Sequence, residues 1–130
     1  MKTVITFGTF DVFHVGHLNI LTRARALGDR LIVGVSSDAL NIAKKGRAPI
    51  YSDAERMQII ASLKCVDGVF AEHSLARKGD YIREHQADIL VMGDDWQGRF
   101  DGYKTICEVI YLPRTPSIST TSIIEVVKAS

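Results

Sequence analysis

The sequence predicts a doubly wound α/β fold in a single domain spanning residues 1–130, with helices on both faces of a parallel five-stranded sheet. Three observations carry that prediction. Short β-rich runs alternate with helical patterns from end to end. The runs are compact and mostly apolar, as expected of strands covered on both faces. No internal repeat, low-complexity tract or linker-like stretch divides the 130 residues.

The elements follow in order. Val4 to Phe7 is the first strand. Val15 to Leu27 carries Leu18, Leu21, Ala24 and Leu27 at helical spacing and stops at Gly28, a good terminator. Leu31 to Val35 is the second strand, and Leu40 to Tyr51 reads as a loop. Ser52-Asp53-Ala54-Glu55 has capping-box spacing and opens a helix with Met57, Ile60 and Ala61 on one face. Val66 to Phe70 is the third strand, and a weaker helix fits Asp80 to His85. Ile89 to Met92 and Val109 to Leu112 are the fourth and fifth strands. The last helix runs from Ser119 or Thr120 to Lys128, with Ile123, Ile124 and Val127 packing inward. This succession is Rossmann-like, so the ligand site is expected at the carboxyl ends of the strands.

Composition bounds the function. At 46% hydrophobic and 24% charged, with three prolines and ten glycines, the chain is an ordinary globular domain, which excludes disorder and collagen. Sixteen Lys and Arg against fifteen Asp and Glu leave a net charge of +1. That argues against a nucleic-acid partner, since no basic stripe with interleaved aromatics appears. Cys65 and Cys107 stand in apolar runs without CxxC spacing and read as small buried hydrophobes. The amino-terminal run is too short and too alternating for a signal peptide or a membrane span, so a cytoplasmic protein without membrane attachment is expected.

The residues after strands one, four and five are the most polar and unusual of the chain. In Gly8-Thr9-Phe10-Asp11-Val12-Phe13-His14-Val15-Gly16-His17, a glycine ends a strand and two histidines straddle Gly16 at a helix start. Free N–H groups and the helix dipole favour anions there, which outlines a phosphate site. The spacing is neither GxGxxG nor GxxxxGK[ST]. A His-x-x-His metal pair and hydrogen-bonded packing are the competing readings, although no Cys or His cluster supplies further zinc ligands. In Arg114-Thr115-Pro116-Ser117-Ile118-Ser119-Thr120-Thr121, an arginine and a hydroxyl cluster open the last helix. Phosphate binding and simple N-capping by Ser119 or Thr120 are compatible there.

Those two segments, with Met92-Gly93-Asp94-Asp95-Trp96 and Tyr111-Leu112-Pro113-Arg114-Thr115, resemble the signatures of the cytidylyltransferase branch of the HxGH nucleotidyltransferases. The likeness is closest to the bacterial glycerol-3-phosphate cytidylyltransferase family and covers essentially the whole chain. The resemblance implies attack of a glycerol 3-phosphate oxygen on the α-phosphorus of CTP, assisted by Mg²⁺, in a cytoplasmic homodimer that supplies CDP-glycerol to a teichoic acid or capsule. It makes His14, His17 and Arg114 catalytic. It places Gly8, Thr9, Phe10, Asp11, Gly16, Met92, Asp94, Thr115, Ile118, Ser119, Thr120 and Thr121 at the nucleotide, and Lys44, Lys78, Arg56 and Asp11 at the acceptor.

Asp94 and Asp95 are candidates for organising base, ribose or Mg²⁺, and no metal ligand is assigned. Trp96 is a candidate for closing the pocket. Lys44-Lys45 and Arg77-Lys78 also read as solvated loop charge, and Arg77 competes with Lys78 for the acceptor role. His73 and His85 match no motif. Two departures from the family pattern leave the acceptor open. Pro116-Ser117 stands where Glu-Gly is usual, and Gly46-Arg47 stands where a lysine would be useful. Other phosphorylated acceptors (phosphoethanolamine, a sugar phosphate or FMN), ATP in place of CTP, and a non-catalytic nucleotide-binding module are the alternatives.

Overall fold

A computed structural model describes residues 1–116 and 118–130. Ser117, one of the two residues by which Pro116-Ser117 departs from the family pattern, lies outside the described residues. The strands are β1 Thr3–Gly8, β2 Arg30–Ser36, β3 Gly68–Glu72, β4 Ile89–Gly93 and β5 Glu108–Leu112. The helices are α1 Val15–Arg25, α2 Asp38–Lys45, α3 Asp53–Ala61, α4 Lys78–Glu84 and α5 Thr120–Ala129. Short 3₁₀ turns cover Leu75–Arg77, Asp94–Trp96 and Asp101–Thr105.

All pairings are parallel, in the order β3-β2-β1-β4-β5. The chain therefore starts at the centre of the sheet, winds outward to β3, returns, and winds outward again to β5. The direction of winding reverses between β1 and β4, and a crevice opens there above the carboxyl ends. Successive strand residues supply opposite faces. Val4, Leu31, Val33, Val35 and Val91 meet Leu21 and Ala24 of α1 and Ile60 of α3. Ile5, Phe7, Ile32, Leu90 and Met92 meet Tyr81 and Ile82 of α4. Burial on both faces is why the strands read as apolar runs rather than alternating ones.

Several boundaries and faces differ from the sequence reading. β3 starts two residues later than Val66, because Val66 N–H donates to Leu63 O and closes the turn after α3. Asp67 is spent on β2, its N–H donating to Leu31 O and its carboxylate accepting from Leu31 N–H. The supposed loop from Leu40 contains α2, capped by Ser37 Oγ at its start and ended by Gly46 at φ 77°. In α1 only Leu21 and Ala24 of the expected stripe are buried, Leu18 and Leu27 lying at its exposed ends. In α3 the buried neighbour of Ile60 is Arg56, and Ala61 faces solvent. Val127 is 69% exposed rather than packed inward. Cys65 and Cys107 are free thiols, half-buried rather than fully enclosed.

Candidate active site

The crevice holds a cavity of about 670 Å³, the size of a nucleotide or drug-sized ligand site. Its floor is the end of β1 and the loop that follows. That loop is strained: Phe10 at φ 55° and Val12 at φ 47° occupy the left-handed region, which is unfavourable for non-glycine residues. The surroundings hold it there. Arg56, fully buried, donates from Nη1 to Thr9 O (2.9 Å) and Ser36 O (2.7 Å), from Nε to Tyr51 O (3.0 Å), and pairs through Nη2 with Asp38 Oδ1 at 2.8 Å. Asp11 accepts from the backbone N–H groups of Ile50 (2.8 Å) and Tyr51 (2.9 Å). Its carbonyl accepts from Thr120 Oγ1 at 2.8 Å.

The Thr9 hydroxyl is likewise turned into the protein. It donates to Oδ1 of buried Asn41 at 3.0 Å and lies 3.0 Å from Ser36 Oγ. Asn41 Nδ2 in turn donates to Ser36 O, Ser36 Oγ and Ser37 O. Asn41 is not legible as a site residue in the sequence, where its segment reads as a loop, although the Ser37 cap and the Gly46 terminator mark the helix.

The two histidines build the start of α1. Gly16 N–H donates to His14 Nδ1 at 3.0 Å, and His14 N–H donates to His17 Nδ1 at 3.2 Å. Gly16 is required because a Cβ there would lie 2.8 Å from His14 Cε1. The rings stack at 3.7 Å between centroids. Since each Nδ1 accepts, each neutral ring carries its proton on Nε2. The motif therefore supplies two neutral N–H donors. Burial, then the neighbouring His14, holds the His17 pKa down to about 4, with Arg114 contributing and Asp11 opposing. Burial and then Arg114 lower that of His14.

Across the crevice, Ser119 caps α5, its Oγ accepting from Ser122 N–H at 3.1 Å. Arg114 is half-exposed, 3.8 Å from Asp95. The strand exit is tied to α1, with Asn19 Nδ2 donating to Thr115 Oγ1 (3.0 Å) and Arg23 to Pro113 O. Two helix starts, two imidazoles and a guanidinium thus face one space, and fixed N–H dipoles of that kind suit phosphate oxygens.

Every residue assigned to the nucleotide lines the cavity except Asp94, whose neighbours Gly93 and Asp95 do. Phe10 is buried, and its ring meets that of His17 edge-on at 5.5 Å between centroids. The acceptor set is dispersed. Asp11 lines the cavity with its carboxylate already engaged, Arg56 lies behind the loop with its donors on protein oxygens, and Lys44 and Lys78 stand outside the lining. Lys78 is not a solvated loop charge: it is 4% exposed and 2.7 Å from buried Glu72. Arg77, its competitor, lies on the surface with Asp80 and Glu84. Lys45, Arg47, Glu125 and Lys128 line the cavity without having been assigned, and Trp96 stands at its wall. His85 stacks on Phe70 and His73 is exposed.

Among the described residues, no three His, Cys, Asp or Glu side chains converge as a metal cage. No described helix is long and apolar enough to cross a membrane.

A parallel sheet reversing at β1 and β4, with a His-x-Gly-His helix start on the crevice, defines a nucleotidyltransferase-type site. The chain matches the family Cytidylyltransferase-like over residues 5–126 and belongs to it. It is 48% identical over 125 residues to the glycerol-3-phosphate cytidylyltransferase of Bacillus subtilis (strain 168), covering 96% of each chain. It is 46% identical over 123 residues to that of Staphylococcus aureus (strain NCTC 8325 / PS 47), covering 95% of this chain and 92% of the relative. Among solved structures, the lipopolysaccharide core biosynthesis protein of Thermoplasma volcanium GSS1 superposes with a TM-score of 0.74 at 25% identity, over 88% of this chain and 98% of that one.

Proposed function

We propose that this chain transfers CMP from CTP to sn-glycerol 3-phosphate, giving CDP-glycerol and pyrophosphate. The observation that carries the reading is the pair of neutral, Nε2-protonated histidines locked onto the start of α1 opposite Arg114 and Ser119. The likeness to two glycerol-3-phosphate cytidylyltransferases over nearly their whole length supports the choice of substrates.

An acceptor phosphate oxygen attacks the α-phosphorus in line. The new P–O bond forms as the bond to the bridging oxygen breaks, and the electron pair leaves with pyrophosphate. No covalent enzyme intermediate is needed. Catalysis is positioning plus stabilisation of charge on the equatorial and leaving oxygens. His14 and His17 donate from Nε2 to phosphate oxygens, and Arg114 with the Thr120 and Thr121 amides at the start of α5 holds the triphosphate, the Ser119 N–H being engaged by Ser122 Oγ. Thr9 presents its backbone, since its hydroxyl is engaged by Asn41. Asp95, which also faces Arg114, and Glu125 are cavity carboxylates whose hard oxygens would suit a Mg²⁺ ion brought in with the triphosphate. Such an ion supplies neutralisation of phosphate charge.

The reading includes a cytoplasmic homodimer whose product serves polymer synthesis, with no nucleic-acid or membrane partner. Sedimentation of the purified chain tests the dimer. The assay that tests the function is pyrophosphate release with Mg²⁺, crossing CTP and ATP with glycerol 3-phosphate, phosphoethanolamine, a sugar phosphate and FMN. Release confined to CTP with glycerol 3-phosphate is the expected result. Release with another pair moves the substrates, and CTP binding without release from any pair refutes turnover.

A further inference from the structure

Tyr111, the next to last residue of β5, lies outside the cavity lining, yet its hydroxyl crosses from the sheet to the segment that forms one wall of the cavity. It accepts from Phe100 N–H at 2.9 Å and donates to Asp101 Oδ1 at 2.9 Å. Among the described residues, the other hydrogen bonds of residues 94–101 are local, made between backbone groups three residues apart. Bonds of that kind give a segment its shape but do not fix its place on the sheet. The Tyr111 phenol does.

Two cavity-lining side chains, Asp95 and Trp96, ride on the segment so placed. Trp96 packs against Phe100 with ring centroids 5.7 Å apart, and the Arg99 guanidinium stands 5.6 Å from the centre of the indole. Phe100 in turn packs with Tyr103 and Tyr111 against the core on the α4 side of the sheet. Asp95 folds back over the end of β4, where a Cβ on Gly93 would lie 2.6 Å from its Oδ1. A continuous path therefore runs from the Tyr111 hydroxyl to the Phe100 backbone, to the Phe100 ring, to the indole and so to the cavity. The indole is 42% exposed there, an apolar plane in a wall otherwise given to phosphate ligands. Aromatic planes of this kind serve the base and sugar of a nucleotide rather than its phosphates.

We propose that Tyr111 is a positioning residue for the nucleotide, holding Phe100 through its hydroxyl and, through Phe100, Trp96 against the nucleoside of CTP. The inference rests on the proposed function. It adds that CTP affinity depends on a phenol that itself touches neither substrate, and that acceptor affinity does not pass through this path.

The test is calorimetric binding of CTP to wild type, Tyr111→Phe, Trp96→Ala and the double variant, with pyrophosphate release and thermal melting alongside. Tyr111→Phe is expected to raise the CTP dissociation constant about fivefold, the size of one lost hydrogen bond. KM for glycerol 3-phosphate should stay within about twofold. In the Trp96→Ala background the same substitution should change CTP binding by less than about twofold, because the ring it works through is gone. Trp96 is the one tryptophan of the chain, so its emission reports the segment directly. CTP should shift that emission in wild type, and Tyr111→Phe should shift it in the free protein. Should Tyr111→Phe fail to fold, Phe100→Leu carries the test, since it keeps the backbone hydrogen bond and removes the ring that meets Trp96. A rise in the CTP dissociation constant that vanishes in the Trp96→Ala background supports the inference there too.

Unchanged CTP binding in Tyr111→Phe, equal effects with and without Trp96, or matching rises for both substrates overturns it. Wild-type turnover on CTP and glycerol 3-phosphate reads the functional assignment separately. Normal wild-type turnover with an unaltered variant removes only the role of Tyr111, whereas no binding of CTP by wild type removes both.

Discussion

Replacing His17 by asparagine separates the ring's titration from its capping role. An Asn side-chain oxygen can accept from His14 N–H as His17 Nδ1 does, but it takes up no proton near neutrality. In the folded chain burial and His14 hold the His17 pKa at about 4 against an ordinary 6.5. The folded state therefore binds fewer protons than the unfolded chain between those values. The stability contributed by the neutral ring is complete above about pH 6.5 and is lost as pH falls toward about 4. A shift from 6.5 to about 4 sets a ceiling of roughly 2.5 kcal/mol on the loss between about pH 7 and about pH 4.5. The ring borders an open cavity, and solvent there reduces the figure to about 1–2 kcal/mol.

Urea denaturation of wild type and His17→Asn at both pH values gives that number as a double difference, in which the carboxylates common to the two proteins cancel. Nitrogen-detected NMR of the histidine rings gives the tautomer directly. Wild type should lose the extra stability, and the neutral His17 and His14 signals should show Nε2 protonated. Equal acid losses in the two proteins, a His17 midpoint near 6.5, or a proton on Nδ1 would refute the capping argument.

His17→Ala should lower kcat by about 100-fold or more while the CTP dissociation constant rises only a few-fold, read by pyrophosphate release and calorimetry, because the donors act chiefly on charge that develops in the transition state. Arg56→Met should destabilise the fold by about 3 kcal/mol in urea, since it strips partners from three carbonyls and leaves Asp38 unpaired. Gly46→Ala should cost about 1 kcal/mol from backbone strain alone, because its φ is 77° and nothing lies within 4 Å of the added methyl. Replacing Asn41 by Leu should raise the CTP KM, while Thr9→Val made in that background adds little, the coupling in kcat/KM being the readout of a shared hydrogen bond.

What was legible in the sequence is what local chemistry decides. The Ser52 and Ser119 caps, the strand cores and the histidine turn all depend on residues within a few positions of one another. The convergence of the Gly8 and Arg114 segments followed from the parallel succession, which puts every strand's carboxyl end on one edge. Lys78 and Arg56 show the limit. Lys78 also reads as solvated loop charge and Arg56 as an acceptor-site residue, and each is buried because its partners come from elsewhere. For Lys78 these are Glu72 on the strand before it and the rings of Phe7 and Phe100. For Arg56 they are Thr9 and Ser36, which lie 47 and 20 residues away. No periodicity encodes those meetings; only the wound sheet creates them. α2 was missed for a smaller reason, since it is eight residues long with a short apolar stripe, and its caps were its only clear marks.

The same long-range contacts explain how the site is made ready before substrate arrives. Two non-glycine residues in the left-handed region cost of order 1–3 kcal/mol each. A loop following a strand would relax out of that conformation if it were free. It is not free, because Arg56 grips Thr9, Ile50 and Tyr51 grip the Asp11 carboxylate, and Thr120 at the start of α5 grips the Asp11 carbonyl. The last of these bonds links the two halves of the doubly wound sheet, so the distance between the starts of α1 and α5 is fixed by the fold itself. Phosphoryl transfer gains most from donors whose spacing needs no reorganisation at the moment of reaction. Loop strain and a buried arginine, which look like defects when stability is judged alone, are here what holds the loop before the two stacked imidazoles in place.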